Sequence, residues 1–83
     1  MYESHNDPIS TVVEFTRGRV FPKEFVWGRR SYPVHTVNLV HTTFEGERRY
    51  VFFSVSNDTN MFKLRFDPVA LEWCLVEVYT PGA

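Results

Sequence analysis

The fold is indicated most clearly by residues 48–66, RRYVFFSVSNDTNMFKLRF, which contain two alternating runs separated by a polar loop. Alternate positions of each run are all apolar, which is the period of a β-strand with one buried face. These positions are Val51, Phe53 and Val55, and Phe62, Leu64 and Phe66. The loop Asn57–Asn60 is a strong turn signal because Asn and Asp tolerate left-handed backbone and cap their own turns. Pairing Val55 with Phe62 sets inward residues opposite one another throughout, so the stretch predicts an antiparallel hairpin in this register.

Similar short runs, broken by turn residues, continue on both sides of this hairpin, and no window shows a helical stripe. The sequence therefore predicts an all-β fold, a small antiparallel meander of five to six strands curled into a partly closed barrel. The last run is apolar on both faces apart from Glu77. A β-bulge near Glu77 would bring Trp73, Leu75 and Val78 onto one face. The predicted strands are Thr11–Thr16, Glu24–Trp27, Val34–Thr43, Arg48–Ser56, Asn60–Phe66 and Trp73–Tyr79.

A chain of 83 residues has room for one domain. Residues 1–9 are polar, contain Pro8 and show no period, so we expect them to form a flexible N-terminal arm. Residues 10–80 are expected to form the single β domain, and residues 81–83 a tail. Eight Phe, four Tyr and two Trp supply the dense core that a small chain needs to fold without metal or disulfide staples.

With Cys74 as its single cysteine the chain can form no internal disulfide, which favours a reducing, cytoplasmic location. The N-terminus MYESHNDPIS has neither the basic start nor the apolar run of a signal peptide. No stretch approaches the ~20 apolar residues of a membrane helix. The net charge of −1 argues against a protein that coats nucleic acid through bulk charge, although seven of the nine basic residues are arginine.

The side chains able to act as nucleophiles or metal ligands lack the spacing that catalysis or metal binding requires. His35 and His41 share a predicted strand face, but six residues at ~3.3 Å each separate them by roughly 20 Å, too far for one tetrahedral site. Cys74 lies mid-strand, where a cysteine is a small hydrophobe with an unactivated thiol. There is no GxSxG and no glycine-rich phosphate loop. We therefore expect a non-enzymatic protein with no catalytic residue, no cofactor and no bound metal.

The stretch FVWGRRSY, residues 25–32, predicts a tight turn at Gly28. Its aromatic residues are expected to belong to the core, and Arg29 and Arg30 to be solvated unless a partner binds them. The aromatic residues are Phe25, Trp27 and Tyr32.

The outward side of the predicted sheet carries a second set of apolar residues. In a domain this small they would leave an apolar patch of several hundred Å², which usually marks an interface. The N-terminal arm, a second subunit or another protein could cover it, and an isologous homodimer is the simplest solution. The predicted protein interface consists of Tyr50, Phe52, Met61, Cys74 and Val76.

Single-stranded nucleic-acid binding is the alternative function, because small β-barrels bind single strands through aromatic stacking and basic groups. The predicted register places Phe52 opposite Arg65 and Ser54 opposite Lys63 on the outward side. Such an aromatic–arginine pair is either a stacking platform or a cross-strand cation–π contact. The predicted nucleic-acid contacts are Arg29, Arg30, Phe52, Lys63 and Arg65.

Four stretches, PKEFVWGRRSYPV at 22–34, FSV at 53–55, FKLRFDP at 62–68 and WCLVEVY at 73–79, resemble a family of small uncharacterised bacterial proteins. The resemblance implies an all-β fold with an opening aromatic hairpin, a Phe-x-Leu-x-Phe-Asp-Pro strand and turn, and a closing Trp-x-Leu-x-x-Val strand. It also implies a bacterial or archaeal cytoplasmic origin. Members have no assigned activity, so no catalytic residue carries over. The family's association with tails of Y-family DNA-polymerase-like proteins implies a DNA-repair accessory role.

Overall fold

A computed structural model describes residues 1–81, and within them all regular structure is β-strand. No helix in this part of the chain is long and apolar enough to cross a membrane. The predicted tail at 81–83 lies, beyond Pro81, outside the described residues. The strands are β1 (Tyr2–Thr16), β2 (Arg19–Trp27), β3 (Arg30–Pro33), β4 (Thr36–Glu45), β5 (Arg48–Ser56), β6 (Met61–Asp67) and β7 (Glu72–Tyr79).

The strands form one antiparallel sheet in the order β3-β2-β1-β7-β6-β5-β4, which confirms the predicted all-β antiparallel fold. The described residues form seven strands rather than the five or six expected, and the additional one is β3. This strand pairs with β2 from Glu24↔Pro33 to Trp27↔Arg30. Its four residues are too few to show an alternation. The two edge strands, β3 and β4, are not paired with each other, so the sheet is not closed into a barrel.

Strand β1 corrects the expectation of a flexible arm at residues 1–9. Its first part, Tyr2–Ile9, pairs with β7, and the rest, Ser10–Thr16, pairs with β2. The backbone N–H of Thr80 also donates to the carbonyl oxygen of Met1, at 2.9 Å. The polar sequence is compatible with a strand because a ladder joins backbone groups and needs no apolar side chains. The edge of β7 supplies the partner that this segment lacks locally.

The predicted pairing within residues 48–66 is confirmed over its whole length, from Val51↔Phe66 to Val55↔Phe62. The last strand contains the β-bulge near Glu77 that was considered from the sequence. Lys63 of β6 lies opposite Glu77, but the next residue of β6 lies opposite Leu75, so one residue of β7 is left over. The bulge keeps the apolar residues of β7 on the inner face. They are Trp73, Leu75 and Val78.

The sheet doubles back at β1, so that β2 and β3 pack over the inner face of the remaining strands. The contact is aromatic: the ring of Phe62 lies 5.0 Å from that of Phe25 and 5.5 Å from that of Tyr32, between centroids. Phe25 is fully buried, and Trp27 and Tyr32 are half-buried against the core. The aromatic residues of FVWGRRSY therefore face inward, as predicted. The buried core comprises Phe25, Phe53, Val55, Phe62, Leu64, Phe66, Trp73, Leu75 and Val78.

Candidate interaction surfaces

The five residues predicted to form a protein interface lie on the side of β5–β7 that faces away from the core, called the outer face below. Only Met61, on β6, is well exposed. Tyr50 and Phe52 on β5 are half-buried, as are Cys74 and Val76 on β7. The structure thus gathers the predicted residues on one surface but does not leave most of them open to solvent.

Two cations lie over the aromatic rings of the outer face. The Arg65 guanidinium lies 5.0 Å from the centre of the Tyr50 ring, and the Lys63 ammonium lies 5.1 Å from the centre of the Phe52 ring. His41 of β4 stacks on Phe52 almost in parallel, with centroids 5.2 Å apart. Exposed cation–π contacts of this kind contribute about 0.5–1 kcal/mol each. The middle of the outer face is therefore a mixed cationic and aromatic surface rather than an apolar patch.

Glu77 links this surface to the first strand. Its carboxylate lies 3.7 Å from the Lys63 ammonium and accepts a hydrogen bond from the Tyr2 hydroxyl. That hydrogen bond is the main reason why the pKa of Tyr2 is raised above its ordinary value, with burial and the negative charge of Glu77 adding to it. Loss of the phenolic proton would remove the bond and set two negative charges side by side. Tyr2 is therefore held as a neutral donor.

Three exposed side chains, those of Tyr2, Tyr79 and Met61, form a row at one end of the outer face. The sequence predicted only Met61 as part of an interface. Tyr79 lies opposite Tyr2 on one side and Met61 on the other. Their side chains are 60% (Tyr2), 42% (Tyr79) and 44% (Met61) exposed. Tyr2 was missed because residues 1–9 were interpreted as an arm. The alternation of the last strand could have identified Tyr79, since it is outward once the bulge is included.

The five predicted nucleic-acid contacts do not lie on one surface. Phe52, Lys63 and Arg65 meet on the outer face. Arg29 and Arg30 lie at the turn between β2 and β3, the layer that packs on the opposite, inner side of the sheet. The arginine tip thus belongs to a different layer from the aromatic and cationic surface.

A polar cluster that the sequence did not reveal fastens β1 to β2. His5 lies between two carboxylates, with Nε2 3.0 Å from Glu3 and Nδ1 3.2 Å from Asp7. The Trp27 indole N–H donates to the same Asp7 carboxylate at 2.9 Å, and its ring meets His5 edge to face at 4.9 Å. Within residues 1–81 no group of three His, Cys, Asp or Glu side chains is arranged to hold a metal ion. Because Trp27 of β2 contacts both His5 and Asp7 of β1, the cluster helps to hold the two strands together.

Asp67, at the end of β6, is a buried carboxylate. It accepts hydrogen bonds from the backbone N–H groups of Val69 (2.9 Å) and Ala70 (3.1 Å), and from the Arg48 guanidinium at 2.5 Å. The Ala70 bond is the main cause of a lowered pKa of Asp67, and Val69 and Arg48 act in the same direction. The two backbone bonds close the turn between β6 and β7, and the Arg48 bond ties this turn to the start of β5, so Asp67 has a structural role.

In comparisons with known proteins, no family model, no curated protein and no solved structure matches this chain. The family resemblance drawn from the motifs therefore stays a prediction. What the protein does has to be argued from its surfaces.

Proposed function

We propose that this chain is a non-enzymatic protein-interaction domain that forms a homodimer through its outer face. The supporting observation is the row Tyr2–Tyr79–Met61, in which three large side chains on adjacent strands are exposed together. Tyrosine and methionine are enriched at protein interfaces, where their apolar bodies become buried. The proposal keeps the cytoplasmic location expected from the single cysteine.

The surroundings of the row suit an isologous contact. Lys63 and Glu77, which carry opposite charges, lie directly beside it. A two-fold axis brings the same patch of each copy together, so the row of one copy would cover the row of the other. Lys63 of one copy could then lie near Glu77 of its partner, giving the polar rim that surrounds the apolar centre of most interfaces.

The test is the molar mass in solution, measured by size-exclusion chromatography with light scattering over a range of protein concentrations. The wild-type mass should rise toward twice the chain mass, and Met61→Asp should stay at the monomer mass, because a carboxylate in the apolar centre is costly to desolvate. Val69→Asp is the matched control, since Val69 is exposed but lies in the turn at the far end of β6. A wild-type protein that is monomeric at every concentration would refute the proposal.

Single-stranded nucleic-acid binding, with a role connected to DNA repair, is the second candidate function. It is favoured by the surface where Lys63 and Arg65 lie over the rings of Phe52 and Tyr50. Such an arrangement can stack bases on the rings and place the cations on phosphates. The near-neutral net charge limits the number of phosphates that the domain can neutralise.

A fluorescein-labelled oligothymidylate tests this second function by anisotropy at several salt concentrations. Binding should weaken steeply as salt rises, and the double variant Lys63→Gln/Arg65→Gln should reduce both the affinity and the salt dependence. The double variant Arg29→Ala/Arg30→Ala shows whether the tip takes part. No anisotropy change at low salt would exclude the second function and leave the first untouched.

A further inference from the structure

The curled sheet leaves an opening between β2 and β4. Pairing of β3 with β2 stops at Glu24↔Pro33, and the last bond across this side of β2 runs from the Val34 N–H to the Lys23 carbonyl, at 2.9 Å. Residues 19–22 of β2 therefore have β1 on one side and no strand of residues 1–81 on the other. Strand β4 likewise pairs with β5 alone. Backbone donors and acceptors thus border the opening on both sides.

The floor of the opening is apolar. A cavity of about 450 Å³ lies between the start of β2 and strands β4 and β5. Its volume is within the range of ~300–1,000 Å³ that is typical of ligand sites. Arg19 and Gly18 lie at its rim, where β2 begins. The apolar residues that line it are Val20, Phe21, Val37, Val40, Val51 and Phe53.

The two edges of the sheet are protected to different degrees. Strand β3 has four residues, begins with Arg30 and ends with Pro33, which are common devices against edge-to-edge pairing. Strand β4 contains no Lys, Arg, Asp, Glu or Pro from Thr36 to Phe44. A bulge at Asn38 interrupts its start, and the remainder pairs regularly with β5. The edge beside the cavity is therefore the one left open.

We propose that an extended segment of a partner protein binds in this opening as an additional strand on β4. Its backbone would bond to the free edge of β4, and alternate side chains would enter the cavity, as in other cases of β-strand addition. The inward side chains should be apolar, because those lining the cavity are. Arg19, which lines the cavity, forms no ion pair within residues 1–81, so acidic residues should be favoured at the end of the segment that lies beside it.

The shape of the opening favours a peptide over a second folded copy of this chain. Strand β2 forms one wall and β4 the other, so an incoming strand needs both of its own edges free. The β4 strand of a second copy is already paired with its own β5, and that β5 would then collide with β2 of the first copy. This inference uses a different surface from the homodimer proposed above and does not depend on it.

A phage library of random heptapeptides, selected on immobilised wild-type protein, tests the proposal. Enriched peptides should alternate apolar and polar residues and carry Asp or Glu near one end. Synthesised with a fluorescent label, the strongest should bind Val40→Asp at least about tenfold more weakly, since the new carboxylate would lie in the apolar cavity. Leu39→Asp is the matched control: Leu39 is 57% and Val40 50% exposed, but they lie on opposite faces of β4.

Two further measurements complete the test. Hydrogen exchange should slow at the amides of β4 when the peptide binds, and Arg19→Glu should reverse the preference from acidic to basic peptides. Selection without enrichment, equal weakening by Leu39→Asp and Val40→Asp, or protection confined to other strands would each overturn the proposal. Molar mass measured on the same samples reports separately on the homodimer, so the two proposals can fail independently.

Discussion

The contact between the two layers of the sheet makes a specific prediction for Phe25→Leu. Phe25 is fully buried, stacks on Tyr32 with centroids 5.3 Å apart and meets Phe62 edge to face at 5.0 Å. Leucine keeps most of the apolar volume but loses both ring contacts. At about 0.5–1.5 kcal/mol for each aromatic pair, the free energy of unfolding should fall by about 1–3 kcal/mol.

Urea unfolding followed by circular dichroism measures this change. With a slope of about 1–2 kcal/mol per molar urea for a domain of this size, the midpoint should fall by roughly 0.5–3 M. Val26→Ala is the matched control, because Val26 is the next residue of β2 and is exposed on the other side of the strand. It should change the midpoint much less.

A double-mutant cycle locates the lost contact. Combining Phe25→Leu with Phe62→Leu should give a coupling of about 0.5–1.5 kcal/mol, since the two rings touch. Additive effects of the two substitutions, or equal losses in Phe25→Leu and Val26→Ala, would show that the layers do not pack through these rings.

Three further changes have expected outcomes. The lowered pKa of Asp67 means that its ionised form stabilises the fold above pH 3.8, its ordinary pKa, and that this contribution is lost as the pH falls further. The urea midpoint of Asp67→Asn should therefore depend less on pH in the acid range than that of the wild type. An unchanged pH dependence would contradict this role of Asp67. Glu77→Gln should return the pKa of Tyr2 toward 10.0, as followed by the ring signals of Tyr2 in an NMR titration, and an unchanged pKa would remove Glu77 as the cause. Gly46→Ala should lower the free energy of unfolding, measured in urea, by about 1 kcal/mol, because Gly46 has a φ of +64°. The added methyl group itself would meet no atom within 4 Å. An unchanged midpoint would show that this turn can relax.

The hairpin from Arg48 to Phe66 and the bulge in β7 could be predicted because their signals are local. Alternation over consecutive residues identifies the inward side, and the loop at Asn57–Asn60 selects one of the pairings that set inward residues opposite each other in the hairpin. In the last strand the apolar positions Leu75 and Val78 can share a face only if one residue is left out of the ladder. Steric alternation and burial thus specified these elements without knowledge of the rest of the chain.

The candidate surfaces were only partly predictable. Facing direction was inferred correctly for Phe52, Lys63 and Arg65, because it follows from the same alternation. The degree to which they are exposed could not be inferred, because it depends on the way in which long side chains lie across neighbouring strands. Lys63 reaches back over the Phe52 ring, so a position that looks apolar in sequence is covered by a charge.

Local alternation in the amino-acid sequence was enough to establish an antiparallel β-domain, its central hairpin and the inward aromatic residues. The pairing of Tyr2–Ile9 with β7 was established only by the three-dimensional arrangement, as were the strand β3 and the opening beside β4. Strand β3 is local but too short to show an alternation, whereas the pairing with β7 and the opening depend on backbone groups that meet across distant parts of the chain. Every residue except proline carries the same N–H and C=O groups, so such encounters leave no mark on side-chain identity.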